Sequence, residues 1–282
     1  FPMGQMAFIE QKLGEDKLAC TEEVGDLFKT QINNPKLAMQ VYLKGKCHAR
    51  VIMGLLETGQ AAKVGPYLDQ AGATDVNWTD ILQSSCASNP ASALELATML
   101  LGKGEDLDKM AVADMFVKAS AIQQATGFML QALQGESKEE DGALQTKALE
   151  IPLTNGFPQV ADDIMSKGMF QHFDKPAIAA LCEKHNIPSR ALQLYTEAAD
   201  IKRVIVNTHQ LKPEFLVEFF GTLDAEMQME CMVELLTNNL KANQRLVGTV
   251  AAKYSESVGA EKITTMFKEH DADEGLFLYL ST

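Results

Sequence analysis

One segment of this chain occurs twice. Pro35-Lys36-Leu37-Ala38-Met39-Gln40-Val41-Tyr42 and Arg50-Val51-Ile52 return as Pro188-Ser189-Arg190-Ala191-Leu192-Gln193-Leu194-Tyr195 and Arg203-Val204-Ile205. Seven of the eighteen positions from Pro35 to Ile52 are identical without a gap, and upstream Leu27-Phe28-Lys29 takes the place of Leu181-Cys182-Glu183 with a one-residue slip. Self-similarity over so long a period marks a repeat architecture, in which each unit buries its apolar face against its neighbours. The period holds several helix pairs, so the chain reads as an all-α super-repeat of helical hairpins.

Local signals agree. Met229, Met232, Val233 and Leu236 form the i, i+3, i+4, i+7 stripe of an amphipathic helix, and Ala93, Leu96, Ala97 and Leu100 repeat it. Asn34-Pro35, Asn89-Pro90 and Asp174-Lys175-Pro176 each place a capping side chain before a proline in the first turn, where the missing N–H costs nothing. No run alternates β-branched and aromatic residues between hairpin turns. Nineteen helices are predicted, among them 35–44, 78–88, 188–198, 200–208, 224–237 and 239–255. Links this short place consecutive helices side by side as about nine antiparallel hairpins. The charged stretch from Gly135 to Gly142 is expected to be a surface loop inside a repeat rather than a domain linker.

Composition narrows the function classes. Lys plus Arg number 25 against 38 Asp plus Glu, a net charge of −13, so a nucleic-acid partner or broad contact with anionic lipid is not expected. No apolar run approaches the roughly 20 residues of a membrane-spanning helix. The chain opens on Phe1 without a basic leader and reads as a piece of something longer. Five scattered cysteines, Cys20, Cys47, Cys86, Cys182 and Cys231, suggest a reducing compartment.

Candidate chemistry is sparse. Cys182 with His185 and Cys47 with His48 are the close thiol–imidazole pairs, and neither has a second ligand pair nearby in sequence. Cys182 lies on the apolar stripe with Ile178 and Leu181, so a buried thiol beside a surface histidine is expected. His172, His209 and His270 fall near helix ends, where a cation can favour the last carbonyls. Asn77-Trp78-Thr79 matches the glycosylation sequon formally, and no meaning is attached to it in a chain that reads as cytosolic. No phosphate loop, nucleophile elbow or metalloprotease motif occurs, and the methionines, Met229 and Met232 included, read as core filling. No catalytic, cofactor-binding or metal residue is assigned.

The recurring residues have a packing reading. Ala38 and Ala191 are small where the second helix of a hairpin crosses its partner. Tyr42 and Tyr195 are expected to cover the seam with the hydroxyl in water, and Tyr195→Ala to cost roughly 3 kcal/mol. Arg50 and Arg203 are expected to start the next helix with their charge in solvent.

The stretches Leu181-Cys182-Glu183-Lys184, Arg190-Ala191-Leu192 and Asp200 through His209 resemble the leg of clathrin heavy chains. So do Glu15-Asp16-Lys17-Leu18, Glu57-Thr58-Gly59-Gln60, Gln159-Val160-Ala161-Asp162, Phe219-Phe220-Gly221 and Glu274-Gly275-Leu276-Phe277, in order along the chain. The resemblance implies a right-handed α-solenoid of stacked helical hairpins, similar to HEAT and TPR arrays. It places the end of one repeat at 1–46, a complete repeat at 47–187 and most of the next at 188–282. It further implies a non-enzymatic coat strut at the cytoplasmic face of coated pits and vesicles, with other heavy-chain legs as partners. Light chains and adaptors would bind outside this segment, no cofactor is expected, and the membrane would be reached only through adaptors. The alternative is a helical-repeat protein-binding module of another trafficking or tethering complex. Nine stacked hairpins at about 8–10 Å spacing would make a rod.

Overall fold

Several helix starts in this protein are written by their capping residues. Asn34 Oδ1 accepts from the Leu37 N–H at 3.1 Å, Asn89 from Ser92 at 3.3 Å and Asp174 from Ala177 at 3.0 Å. Asn77, Asp108 and Asp224 serve three further helices in the same way. The ends follow one pattern as well. Lys46, Ser120, Asn186 and Asp271 adopt left-handed backbone, and the next N–H reaches back five residues. Cys47 bonds Tyr42 O, Ala121 bonds Phe116 O, Ile187 bonds Cys182 O and Ala272 bonds Phe267 O. This is the Schellman closure of a helix C-terminus. The following residue begins the next helix, so each link is about as short as the backbone permits.

The computed structural model describes residues 3–74, 76–135 and 137–282, with side chains from Ala7 onward, in two compact units, Phe1–Glu136 and Ser137–Thr282. The first contains α1 (Met3–Gly14), α2 (Glu22–Thr30), α3 (Pro35–Lys44), α4 (His48–Glu57), α5 (Val64–Ala71), α6 (Trp78–Ser88), α7 (Pro90–Lys103), α8 (Lys109–Lys118) and α9 (Ile122–Ala132). The second contains α10 (Gly142–Thr154), α11 (Pro158–Ser166), α12 (Lys175–Lys184), α13 (Pro188–Leu194), α14 (Ala198–Ile205), α15 (Pro213–Phe220), α16 (Ala225–Val258), α17 (Ala260–Glu269) and α18 (Asp273–Leu280). Every regular element among the described residues is helical. Neighbours pair as α2 with α3, α6 with α7, α8 with α9, α10 with α11 and α12 with α13. Hairpins then stack, α6 on α8 and α7 on α9 in the first unit, α10 on α12 and α14 on α16 in the second. That is the hairpin-on-hairpin order of a helical solenoid.

Most expected boundaries hold within a residue or two, and 35–44 and 78–88 match α3 and α6. The expected gap between 237 and 239 appears as a break inside α16. Asn239 leaves helical geometry (φ −153°, ψ 87°) and its side chain caps Ala242, so the element is two helices end to end. One expectation fails. The helix predicted at 188–198 stops at Leu194, where Tyr195 turns extended (φ −70°, ψ 139°). The next helix begins at Ala198, so Arg203 lies in its last turn rather than its first. The unit boundary falls in the loop 135–142, which was expected to lie inside a repeat.

Three buried amides hold links in place. Gln145, Gln228 and Asn243 are each at most 4% exposed, and each is the fourth residue of its helical segment. Gln145 donates to Lys138 O at 3.2 Å, Gln228 to Phe220 O at 2.8 Å and Leu223 O at 3.1 Å, and Asn243 to Leu235 O at 2.9 Å. The accepting carbonyls lie in the chain leading into the amide's helix, where carbonyls lack a next turn to bond them. No described buried side-chain N or O lacks a partner.

Candidate functional site

The recurring segment builds a polar seam beside each hairpin. In the first copy Ala38 and Val41 are buried on α3 against α2, and Tyr42 is only 3% exposed. Its ring fits because α2 carries Gly25. A Cβ there would lie 2.8 Å from Tyr42 Cζ and closer still to Cε1 and Cδ1. The Tyr42 hydroxyl donates to Asp26 Oδ1 at 2.5 Å. Arg50, from α4, donates to Asp26 Oδ2 at 2.7 Å and to Glu22 Oε1 at 2.8 Å. Three consecutive helices are thus joined through one carboxylate. Burial, reinforced by the hydrogen bond to Asp26, holds the Tyr42 phenol far above its usual pKa.

The second copy keeps the residue types and changes the geometry. On the alignment that matches Leu27 to Leu181, Gly25 becomes Ala179, and the tyrosine is no longer buried inside a helix. Tyr195 is half-buried and donates to Glu183 Oε2 at 3.0 Å. The Arg203 guanidinium lies over its ring, 5.7 Å from the centroid, and pairs with Glu183 at 3.0 Å and Asp200 at 2.9 Å. Two expectations are corrected here. The Tyr42 hydroxyl is bonded inside the seam rather than wet, and Arg50 and Arg203 are ion-paired rather than only solvated. Asp200 lies only three residues before Arg203, whereas Glu22, Asp26 and Glu183 reach their arginines only because helices distant in sequence pack together.

Other tyrosines repeat the theme. Tyr254 donates to Val217 O at 2.9 Å, joining α16 to α15, and Tyr67 is hydrogen-bonded to His48 Nδ1 at 2.8 Å, joining α5 to α4. An amphipathic aromatic suits this place because the ring fills the seam while the hydroxyl finds a polar partner on the older helix.

The other sequence candidates are dispersed. Cys182 is fully buried on α12 and His185 half-buried at its end. Among the described residues no three His, Cys, Asp or Glu side chains are grouped to hold a metal ion. Asn77 of the sequon is the N-cap of α6. His270 lies at the end of α17, its Nδ1 3.0 Å from Met266 O. Met232 is buried, whereas Met229 sits at the edge of its stripe, whose centre is Gln228, Cys231, Met232 and Leu235. No described helix is long and apolar enough to cross a membrane.

Burial sets the thiol chemistry. The Cys86 and Cys231 thiols are pushed up to about 12 and Cys182 to about 11. Cys47 is raised, by burial first and then by Glu22 and its acidic neighbours, but like Cys20 it is only half-buried. Since the thiolate is the nucleophile, iodoacetamide at about pH 8 should alkylate Cys20 and Cys47 in the folded chain and leave the other three until unfolding. Peptide mapping reads this directly; equal labelling of Cys182 and Cys20 would contradict it.

Stacked hairpins joined by recurring aromatic and ionic seams define a helical-repeat protein of the solenoid class. The clathrin family model, described as a region in Clathrin and VPS, matches residues 102–244, half of the chain, and the chain belongs to that family. Clathrin heavy chain 2 of Oryza sativa subsp. japonica is 41% identical over 274 residues, covering 96% of this chain and 16% of that protein. Clathrin heavy chain 2 of Homo sapiens is 40% identical over 280 residues, covering 99% and 17%. The clathrin heavy chain of Drosophila melanogaster is 39% identical over 280 residues, covering 99% and 16%. The chain therefore spans about one sixth of the length of the curated relatives it matches.

Proposed function

We propose that this chain is a structural segment of a vesicle-coat leg, a non-enzymatic strut that works at the cytoplasmic face of coated membranes. The observation that carries the reading is the seam itself. In each copy it ties a hairpin to the helix that follows it, so bending at one hairpin is passed to the next through nearest-neighbour contacts. A strut of this kind needs only other legs as partners along its length, each contact weak and many acting together. Light chains and adaptors would bind elsewhere on the whole protein, with the membrane reached through them. The repeat boundaries proposed for it remain 1–46, 47–187 and 188–282.

The test is assembly. Full-length heavy chain carrying Lys36→Glu, Lys184→Glu and Lys268→Glu, all at exposed positions, should form fewer sedimentable lattices while its thermal unfolding is unchanged. Glu139→Gln with Glu140→Gln, in the exposed loop, should assemble normally. The isolated segment should be monomeric at micromolar concentration. Normal assembly after every exposed edge had been reversed would end the strut reading.

A further inference from the structure

The early stop of α13 leaves an open groove of about 510 Å³ between α13, α15 and the start of α16. In the first copy the equivalent helix continues to Lys44 and its tyrosine packs inward. In the second, Tyr195 turns toward Glu183 and Arg203, and the last helical turn is missing. The floor left behind is apolar: Leu192, Ile201, Phe219, Leu223 and Met227, with Phe215 stacked on Phe219 at 6.0 Å. The rim carries Glu218 and Asp224 and, among the described lining residues, no lysine or arginine. Lys253 pairs with Glu218 at 2.6 Å, but the Glu218 side chain is 76% exposed, so that pair is weak and Glu218 can change partner. Asp224 accepts from Met227 N at its Oδ1. The adjoining C-terminal end of α13 adds the negative end of a helix dipole. The volume lies in the range of sites that enclose small ligands or a few side chains.

We propose that this groove docks a peptide segment of another protein, one that sets an apolar side chain on Phe219 and Leu223 and a neighbouring lysine or arginine against Glu218 and Asp224. The apolar floor alone would accept many peptides; the carboxylate rim chooses the basic ones and rejects acidic ones by repulsion. Binding should weaken with salt, because the charges sit at the exposed rim.

The experiment uses the whole chain as bait for phage-displayed random peptides, counter-selected on Thr196→Trp. Thr196 is exposed at the groove, so an indole there fills it without entering the core. Selected peptides should be enriched in Leu, Ile or Phe beside Lys or Arg. The synthesised winner should bind wild type saturably by fluorescence anisotropy, about fivefold more weakly to Glu218→Gln and more weakly still at high salt. Should Thr196→Trp not fold, Glu218→Lys replaces it as the counter-selection. No enrichment, an acidic consensus, or equal binding to the filled groove would overturn the proposal. So would concentration-dependent self-association that Thr196→Trp abolishes, since a second copy would then be the occupant.

Discussion

Tyr42→Ala should destabilise the folded chain by about 4 kcal/mol, the scale of truncating a large buried aromatic. The ring is almost wholly enclosed, Gly25 is shaped to receive it, and its loss also removes the donor to Asp26 Oδ1. Tyr195→Ala should cost about half as much, because that ring is half-exposed and lies outside a helix. The structure thus reverses the weight that equal sequence positions suggested. Two companions separate packing from hydrogen bonding. Tyr42→Phe should lose only about 1 kcal/mol, since Arg50 still neutralises Asp26. Gly25→Ala should lose about 2 kcal/mol by overpacking against the same ring. Urea midpoints at constant m-value measure all four. Equal losses for Tyr42→Ala and Tyr195→Ala would refute the asymmetry.

Gln145→Ala should cost about 3 kcal/mol and loosen one link selectively. The Gln145 carbonyl oxygen accepts from the backbone N–H groups of Gln171 and His172 at 3.1 and 2.9 Å, and its amide donates to Ser137 Oγ at 2.9 Å. One side chain therefore pins the loop before α10 and the link before α12. Truncation removes four bonds and opens a cavity, and partners left without bonds each cost about 1–3 kcal/mol unless water reaches them. Gln145→Leu should be nearly as damaging, which distinguishes lost hydrogen bonds from lost volume. Hydrogen exchange at the Gln171 and His172 amides should accelerate in both variants while core amides of α12, such as Cys182, keep their protection. Unchanged exchange at those two amides would show that the amide does not hold the link.

Helix class, helix order and nearly every helix boundary are legible in this sequence, because they depend on groups within a few residues of one another. Asn34 and Pro35 are adjacent and start α3 wherever it packs; Asn239 breaks α16 by capping its own successor. The buried amides were legible in principle, since Gln145, Gln228 and Asn243 each open an apolar i, i+3, i+4, i+7 run, a place where a polar residue needs a partner. What only the tertiary structure decided is which partner. Asp26 and Glu22 lie 24 and 28 residues before Arg50, and no local rule joins them. The same distance effect divides the two recurring segments. Gly25, whose missing Cβ makes room for the Tyr42 ring, lies on a different helix from that tyrosine. Tyr42 is enclosed within α3, Tyr195 stands outside α13, and the groove lies beside the second copy. Local backbone chemistry writes the helices, and close packing between helices distant in sequence sets the seam and the groove.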